Sequence, residues 1–270
     1  MYSLANTELQ VSVLDPVADR ERFGTRYCTG GYIFQVADAQ HGDLLSGPTY
    51  PGSFNVFDGQ GLPEAFNLSP LRSAAGADAL ALLIGIGICD LKQNEVYEWC
   101  DWRVEANATS IHLATQHAFR GFEVELERTV TLTGRTVRSQ TRVKSLAGWL
   151  PIRWFPHPFF PQPATDELCK LNVPVRFPEN PGYTMAVNGY ICRQGWPWQE
   201  GFFQPLDHDA ETPLIVVQKH PKVGLVVATC SYAPAFFPIW GNANTFSWEP
   251  FLEITLATGQ EKTWWIDYDF

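Results

Sequence analysis

The sequence lacks several features that mark common classes of protein. No apolar run approaches the length needed to cross a bilayer. The six cysteines include no Cys-x-x-Cys pair, so we expect reduced, mostly buried thiols and not a zinc cage or a disulfide framework. Neither a P-loop nor a Gly-x-Gly-x-x-Gly or Gly-x-Ser-x-Gly motif is present. These absences argue against a membrane span, a zinc site and the chemistries that those motifs support.

Positive charge is also scarce. Lys and Arg together number 19 against 29 Asp and Glu, which gives a formal net charge of −10, and the basic residues form no run. A nucleic-acid backbone or an anionic membrane repels such a chain, so a neutral small molecule is the expected ligand. Residues 1–10 contain neither the basic nor the apolar part of a secretory leader, so we expect a cytoplasmic protein, either a monomer or a homodimer.

Apolar and aromatic residues, in contrast, are plentiful. They make up 45% and 14% of the chain, and ten residues are Trp. This is enough for a large core, and some aromatic side chains remain for a surface on which a sugar can stack. Nothing in the 270 residues resembles a linker, so we predict one domain covering residues 1–270.

Strand patterns dominate, and helical periodicity is nearly absent. The clearest pattern alternates apolar and acidic residues, with Val124, Leu126, Val130 and Leu132 on one side and Glu123, Glu125 and Glu127 on the other. A turn at residues 133–135 and a return over 137–143 complete an antiparallel hairpin with one wet face.

Other segments repeat this pattern. We predict an early strand over residues 27–36, a buried strand over 80–88, a second hairpin from 214–217 and 225–229, and a last strand over 264–270. Residues 41–67 have the turn residues of a long loop, which in a compact domain often carries function. The whole predicts an all-β antiparallel sandwich.

The candidate site centres on His157, which lies between two prolines in the sequence Trp154-Phe155-Pro156-His157-Pro158-Phe159-Phe160-Pro161. Each proline stiffens the backbone, so the direction of the imidazole should be well defined. A stiff, partly dry histidine suits proton transfer. A packed structural histidine is the alternative.

Glu249 is the expected partner of His157. It lies between Trp248 and Phe251, and Pro250 removes a backbone donor, which predicts the end of a strand or a bulge. A carboxylate in such surroundings is partly desolvated, which raises its pKa and makes it a base near neutral pH. A rim glutamate paired with an arginine is the alternative.

The order of these motifs resembles the aldose 1-epimerase, or galactose mutarotase-like, superfamily, in particular a divergent branch of it. A Gly-turned hairpin, Leu-Ala-Gly-Trp-Leu-Pro-Ile at 146–152, His-Pro-Phe-Phe at 157–160, Trp-Glu-Pro-Phe at 248–251 and Thr-Gly-Gln at 258–260 carry the likeness. It runs from about residue 25 to the end and is strongest over 122–161 and 226–270. The resemblance implies a β-supersandwich with a sugar bound in a cleft on one sheet, His157 as general acid and Glu249 as general base.

The implied reaction interconverts the anomers of a hexose or a related aldose. The carboxylate takes the proton of the C1 hydroxyl while the imidazolium gives one to the ring oxygen, the ring opens, C1 rotates, and the reverse transfers close it. Neither a cofactor nor a metal is expected.

The chain also departs from the family's pattern, because it has no upstream His-Gly-Gly-like segment and no Glu-x-Gln-x-x-Pro-Asp segment. We therefore expect Arg26, Glu64, Trp154 and Trp240 to supply sugar contacts. For a phosphorylated aldose, Arg26 and Arg153 are candidates for the phosphate site.

Two other functions remain open on the sequence. A carbohydrate-binding or sensor protein on the same fold would use Trp196, Trp198 or Trp240 as platforms without turnover. A related sugar isomerase or lyase would need catalytic groups that the sequence does not reveal. An acid and a base at His157 and Glu249 distinguish an epimerase from a binder, because a binder needs neither.

Overall fold

The computed structural model describes residues 1–49, 59–67, 79–195, 198 and 200–270. These residues form antiparallel strands and one short 3-10 helix, η1 (Arg20–Arg22). The strands are β1 (Tyr2–Ala5), β2 (Leu9–Val13), β3 (Ile33–Asp38), β4 (Gly42–Asp43), β5 (Glu64–Phe66), β6 (Leu80–Leu83), β7 (Gly87–Asp90), β8 (Glu95–Trp99), β9 (Arg103–Ala106), β10 (Ser110–Phe119), β11 (Phe122–Thr133), β12 (Thr136–Ala147), β13 (Leu150–Pro156), β14 (Phe160–Pro161), β15 (Glu167–Leu171), β16 (Val175–Arg176), β17 (Tyr183–Met185), β18 (Ile191–Arg193), β19 (Phe202–His208), β20 (Ile215–His220), β21 (Gly224–Cys230), β22 (Phe237–Gly241), β23 (Thr245–Trp248), β24 (Leu252–Leu256) and β25 (Glu261–Asp269).

One ten-stranded sheet forms the larger layer, in the order β17-β18-β15-β20-β21-β25-β12-β11-β10-β9. A three-stranded sheet β24-β13-β5 and a five-stranded sheet β14-β23-β22-β19-β16 carry the residues of the candidate site. Two smaller sheets, β1-β2-β3-β4 and β6-β7-β8, complete the described strands. The predicted all-β antiparallel architecture is confirmed.

The first predicted hairpin is β11 and β12, joined at Thr133 and Thr136. Gly134 in this turn has φ +56°, the left-handed region that glycine enters without strain. Residues of β11 alternate between buried and half-buried, as the sequence pattern predicts. The second predicted hairpin, β20 and β21, and the last strand, β25, are also confirmed.

The main core lies between the ten-stranded sheet and the two sheets that carry the site. Trp264 of β25 contacts Trp154 of β13 with ring centroids 5.3 Å apart, and Tyr268 of β25 stacks on Trp248 of β23 at 6.1 Å. All four side chains are buried. Burial of such large aromatic areas fixes β13 and β23 against the larger sheet.

Two strand predictions need correction. The early strand begins at Ile33 and not at residue 27, and Tyr27 and Tyr32, which precede it, pack into the smaller aromatic cluster. The predicted strand over 80–88 is two strands, β6 and β7, because Gly85 (φ +76°) and Gly87 (φ +137°) turn the chain back on itself.

The predicted loop over 41–67 contains the short strands β4 and β5, and residues 50–58 of that loop lie outside the described residues. Trp196, a predicted platform, also lies outside them. Within the described ranges, no helix is long and apolar enough to span a membrane.

Candidate active site

Strand β13 brings His157 to the site. Side chains alternate along this strand, so Trp154 faces the main core while Phe155 joins a smaller aromatic cluster on the other side. His157 follows the strand, two residues after Phe155, and its backbone N–H donates to the carbonyl of Pro63 at 2.8 Å. The imidazole therefore extends from a backbone that this hydrogen bond holds in place.

Strand β23 brings Ser247 and Glu249 to the same place. The strand ends at Trp248, as Pro250 predicts, and the backbone N–H of Glu249 donates to the carbonyl of Pro238 at 2.9 Å. Residues two apart on an extended chain point the same way, so Ser247 and Glu249 both face His157.

Those two side chains contact opposite nitrogens of one imidazole ring. Ser247 Oγ lies 2.9 Å from Nδ1 of His157, and Oε1 of Glu249 lies 3.4 Å from Nε2. The first is a hydrogen bond, while the second is a contact longer than an ordinary one. All three residues are buried, with His157 and Glu249 only 4% and 6% exposed.

Aromatic rings enclose the imidazole. Phe159 stacks on it with centroids 4.4 Å apart, while Tyr27 and Trp240 meet it edge-on at 6.3 and 6.0 Å. Phe155 lies at 6.2 Å. These rings exclude water from His157, which strengthens electrostatic interactions inside the site.

This dry environment shifts both ionisable groups towards their neutral forms. Burial lowers the pKa of His157 well below its usual value, and the positive charge of Arg26 lowers it further. Burial raises the pKa of Glu249 to about 8, against the opposing effect of Arg26. At neutral pH the structure therefore holds a neutral imidazole beside a largely protonated carboxyl, whereas the sequence predicts an imidazolium beside a carboxylate.

Arg26 is the predicted sugar contact whose charge reaches both groups. Its side chain is half-buried, and its guanidinium carbon lies 5.1 Å from the ring centroid of Tyr27. Tyr27 also packs on His157, so Arg26 lies close enough for its charge to act on both members of the pair.

Trp240 also lies at the site, and together with Phe203 it forms a partly exposed aromatic surface beside it. It pairs with Ser247 on one side and with Phe203 on the other, so these three side chains lie in a row across β23, β22 and β19. Trp240 is half-buried and Phe203 is 50% exposed. Phe203 is not among the residues predicted from the sequence, because only the folded sheet places it next to Trp240.

The Trp240 ring depends on Gly201. A Cβ at that position, where φ is +92°, would come within 2.3 Å of the indole. The glycine therefore provides the space in which the ring lies.

Trp154 is a correction to the sequence prediction. It is 1% exposed and packs on Trp264 and Tyr232, so its indole has no surface for a sugar. The cause is the alternation of β13, which turns Trp154 away from the side that carries His157.

Glu64 is a second correction, for the same reason. It pairs with Pro156 and faces the main core, where its carboxylate forms a buried ion pair with Arg128 and accepts a hydrogen bond from Ser139. Arg128 also donates to the carbonyl of Gly30 at 3.2 Å. Arg128 lies on the same face of β11 as the buried apolar residues, so the alternation along this strand already indicates a buried cation.

The remaining predicted platform, Trp198, stacks on Phe202 at 4.9 Å. Phe202 and Phe203 point to opposite sides of β19, so Trp198 does not extend the row that contains Trp240. Among the described residues, no group of three or more His, Cys, Asp or Glu is arranged to hold a metal ion.

No protein-family model matches the chain, and no curated protein matches it in sequence at a significant level. Solved structures do match it over nearly its whole length. A candidate aldose 1-epimerase from Escherichia coli K12 shares 15% identity with a TM-score of 0.61, and the match covers 99% of this chain and 97% of that one. A galactose mutarotase-like protein from Lactobacillus casei shares 14% identity with a TM-score of 0.60, covering 100% and 99%.

A third structure, galactose 1-epimerase from Lactobacillus acidophilus, shares 11% identity with a TM-score of 0.53, covering 99% of this chain and 92% of that one. At such identities the likeness defines the fold. The chain shares the β-sandwich fold of these galactose mutarotase-like structures, which is the fold that the sequence resemblance implies.

Proposed function

We propose that this protein is an aldose 1-epimerase-like enzyme that interconverts the anomers of a hexose or a related aldose. The observation that supports this most is the buried contact between His157 Nε2 and Glu249 Oε1, at 3.4 Å, next to an aromatic surface. A donor and an acceptor of protons lie side by side where water is excluded.

The chemistry of ring opening suits such a pair. The hydroxyl oxygen O1 and the ring oxygen O5 of a cyclic aldose are bonded to the same carbon, so two groups in contact can reach both. Glu249 on O1 acts as the base, and Nε2 of His157 is the donor directed at O5. Trp240 and Phe203 offer the ring faces on which a sugar stacks, and Arg26 offers a charged donor to a hydroxyl or an anionic substituent.

A carbohydrate-binding protein without turnover is the second candidate. It is favoured by the closeness of the pair itself, because each of the two residues is almost fully buried and contacts the other. In that case the pair would be a packed structural contact that neither reacts with the sugar nor holds it.

Exchange NMR of the two anomers tests the proposal on glucose, galactose, other common aldoses and their 6-phosphates. The proteins compared are the wild type, His157→Asn, Glu249→Gln and a control, His112→Asn. His112 is a half-buried histidine on β10 that contacts Thr129, so its replacement removes a histidine from elsewhere in the fold.

Faster exchange on one sugar, lost in both site variants and kept in the control, would support the epimerase. If exchange is not accelerated on any sugar while line broadening shows that one binds, the epimerase proposal fails. Unchanged affinity in the two site variants would then favour the binding protein.

A further inference from the structure

Ser247 is a buried hydroxyl with one partner. Its side chain has no exposed surface, and among the described residues it contacts a single hydrogen-bonding group, Nδ1 of His157 at 2.9 Å. A buried hydroxyl hydrogen that finds no acceptor costs free energy. The hydrogen of Ser247 therefore points at Nδ1, which must then carry a lone pair and no proton.

That direction fixes the tautomer of His157. If Nδ1 accepts, the ring is a neutral imidazole and its proton is on Nε2, the nitrogen that faces Glu249. To form an imidazolium, Nδ1 would have to donate to Ser247, whose own hydrogen would then lose its acceptor.

The charged and aromatic surroundings act in the same direction, whereas a hydrogen bond to the backbone of His157 itself favours the protonated ring. The charged and titratable groups that face the imidazole from the described elements are Glu249 after β23, and Arg26 and Tyr27 from the segment before β3. The Arg26 cation disfavours a second cation beside it, and the aromatic rings cannot solvate one.

We propose that His157 acts as a neutral hydrogen-bond donor through Nε2–H and that Ser247 is the positioning residue that holds it in this state. The inference rests on the proposed function only where it concerns the reaction. The tautomer itself is a property of the unliganded protein.

The reaction then needs one base and no imidazolium. Ionised Glu249 takes the proton from O1, and the C1–O5 bond breaks with its electron pair going to O5. Nε2–H donates a hydrogen bond to that oxygen without leaving the nitrogen. O5 then receives from the Glu249 carboxyl the proton that came from O1, and Glu249 is a carboxylate again. After rotation about C1–C2, the same steps in reverse give the other anomer.

The first test is the protonation of the two ring nitrogens, read from long-range ¹H–¹⁵N NMR spectra of uniformly labelled protein between pH 5 and 9. The His157→Asn spectrum identifies the signals of His157. We expect Nε2 protonated and Nδ1 unprotonated in the wild type throughout, and a mixture of tautomers in Ser247→Ala. A wild-type spectrum with Nδ1 protonated would overturn the proposal whether or not any variant folds.

The matched control is Thr245→Val. Thr245 lies two residues before Ser247 on the same strand, is equally buried, and donates its hydroxyl at 2.7 Å to the carbonyl of Phe160 instead of to the imidazole. It should leave the ¹⁵N signals of His157 as in the wild type. The same change in both variants would show that any lost hydroxyl of β23 disturbs the ring, and would overturn the assignment to Ser247.

The second test is kinetic and uses the anomer exchange that the proposed function predicts. Ser247→Ala should lower kcat about tenfold, with KM nearly unchanged, because it removes one hydrogen bond that acts through His157. The wild-type pH profile of kcat/KM should rise through a single ionisation to a plateau. A bell-shaped wild-type profile whose alkaline limb shifts in Ser247→Ala would show that an imidazolium is required, and would refute the neutral donor.

The two tests separate the proposals. If the wild type catalyses no exchange but the NMR spectra show the Nε2–H tautomer, the proposed function fails and the assignment of Ser247 stands. If exchange is catalysed but Nδ1 is protonated, the function stands and this inference fails.

Discussion

The burial of Glu249 predicts a pH-dependent stability that Glu249→Gln should abolish. The side chain is 6% exposed, and burial raises the pKa of its carboxyl from 4.5 to about 8. Below pH 4.5 the carboxyl is protonated in both the folded and the unfolded chain. Between these pH values the unfolded chain releases the proton and the folded chain retains it, so the free energy of unfolding falls as pH rises.

The magnitude follows from the width of that window. A span of about 3.5 pH units, at about 1.36 kcal/mol per unit, amounts to about 5 kcal/mol. Glutamine has nearly the same shape and no charge, so the variant lacks this loss. Relative to the wild type, Glu249→Gln should therefore gain about 5 kcal/mol of stability between pH 4.5 and pH 8 and change little above that.

The wild type and Glu249→Gln both contain His157, so the difference between their free energies of unfolding excludes the contribution of the imidazole. Burial lowers the pKa of His157, so this residue costs stability as pH falls below its usual value, and it does so equally in both proteins. The contact of Glu249 with Nε2 is also kept, because the amide of glutamine occupies the same position.

The assay is urea unfolding followed by far-UV circular dichroism at pH 5, 6, 7 and 8, with constant ionic strength. Glu253→Gln is the control. Glu253 lies four residues after Glu249 in the chain, and its carboxylate is exposed and pairs with Arg153. If Glu249→Gln differs from the wild type by the same free energy at pH 5 and pH 8, the carboxyl is not held neutral by burial and the reasoning is refuted.

Three further predictions separate core residues from site residues. Trp154→Ala should cost about 3–5 kcal/mol of stability, because the indole is buried in the core. Trp240→Ala should instead weaken sugar binding in a titration, with a smaller loss of stability. The opposite pattern would contradict the core position of Trp154. Arg128→Met should cost about 3–5 kcal/mol of stability in urea unfolding, because it leaves the Glu64 carboxylate without its buried partner. Restored stability in a double variant with Glu64→Gln would identify the unpaired charge as the cause, and no restoration would reject it. Gly201→Ala should displace the Trp240 indole, which tryptophan fluorescence and weaker sugar binding would show. Gly121→Ala is the control, because Gly121 has a similar φ of +85° with open space around it, so only the strain of an alanine at positive φ should appear. Equal effects of the two variants would exclude a clash between the new methyl group and the indole.

Local sequence patterns specified much of the fold. The alternation along β11 and β12 predicted a hairpin with one buried face because the side-chain period of a strand is two, and a wrong register would expose the whole apolar set. One strand prediction failed at a pair of glycines. Gly85 and Gly87 divide residues 80–88 into two strands, and a stretch of apolar residues does not reveal that turn.

The candidate site was predicted unevenly, for a related reason. The sequence indicated His157 and Glu249 as partners, and the fold brings them into contact across 92 positions of chain. Closeness to His157 in sequence did not predict which side chains reach the site. Trp154 is three positions from His157, and side chains an odd number of positions apart on a strand face opposite sides, so Trp154 faces the core. Glu64 is turned inward by pairing with Pro156.

The sequence by itself determined the fold class, the main hairpins and the types of residue at the site, because these depend on periodicity and on stiff local backbone. Only the tertiary structure decided how the site is charged. Enclosure by Phe159, Tyr27 and Trp240 makes a neutral imidazole and a protonated carboxyl the stable forms. The Arg26 cation adds to this effect at His157 and opposes it at Glu249. The pairing of Ser247 with Nδ1 depends equally on which strands meet. Desolvation and hydrogen bonding are properties of the surroundings in space, and a position in the chain does not specify them.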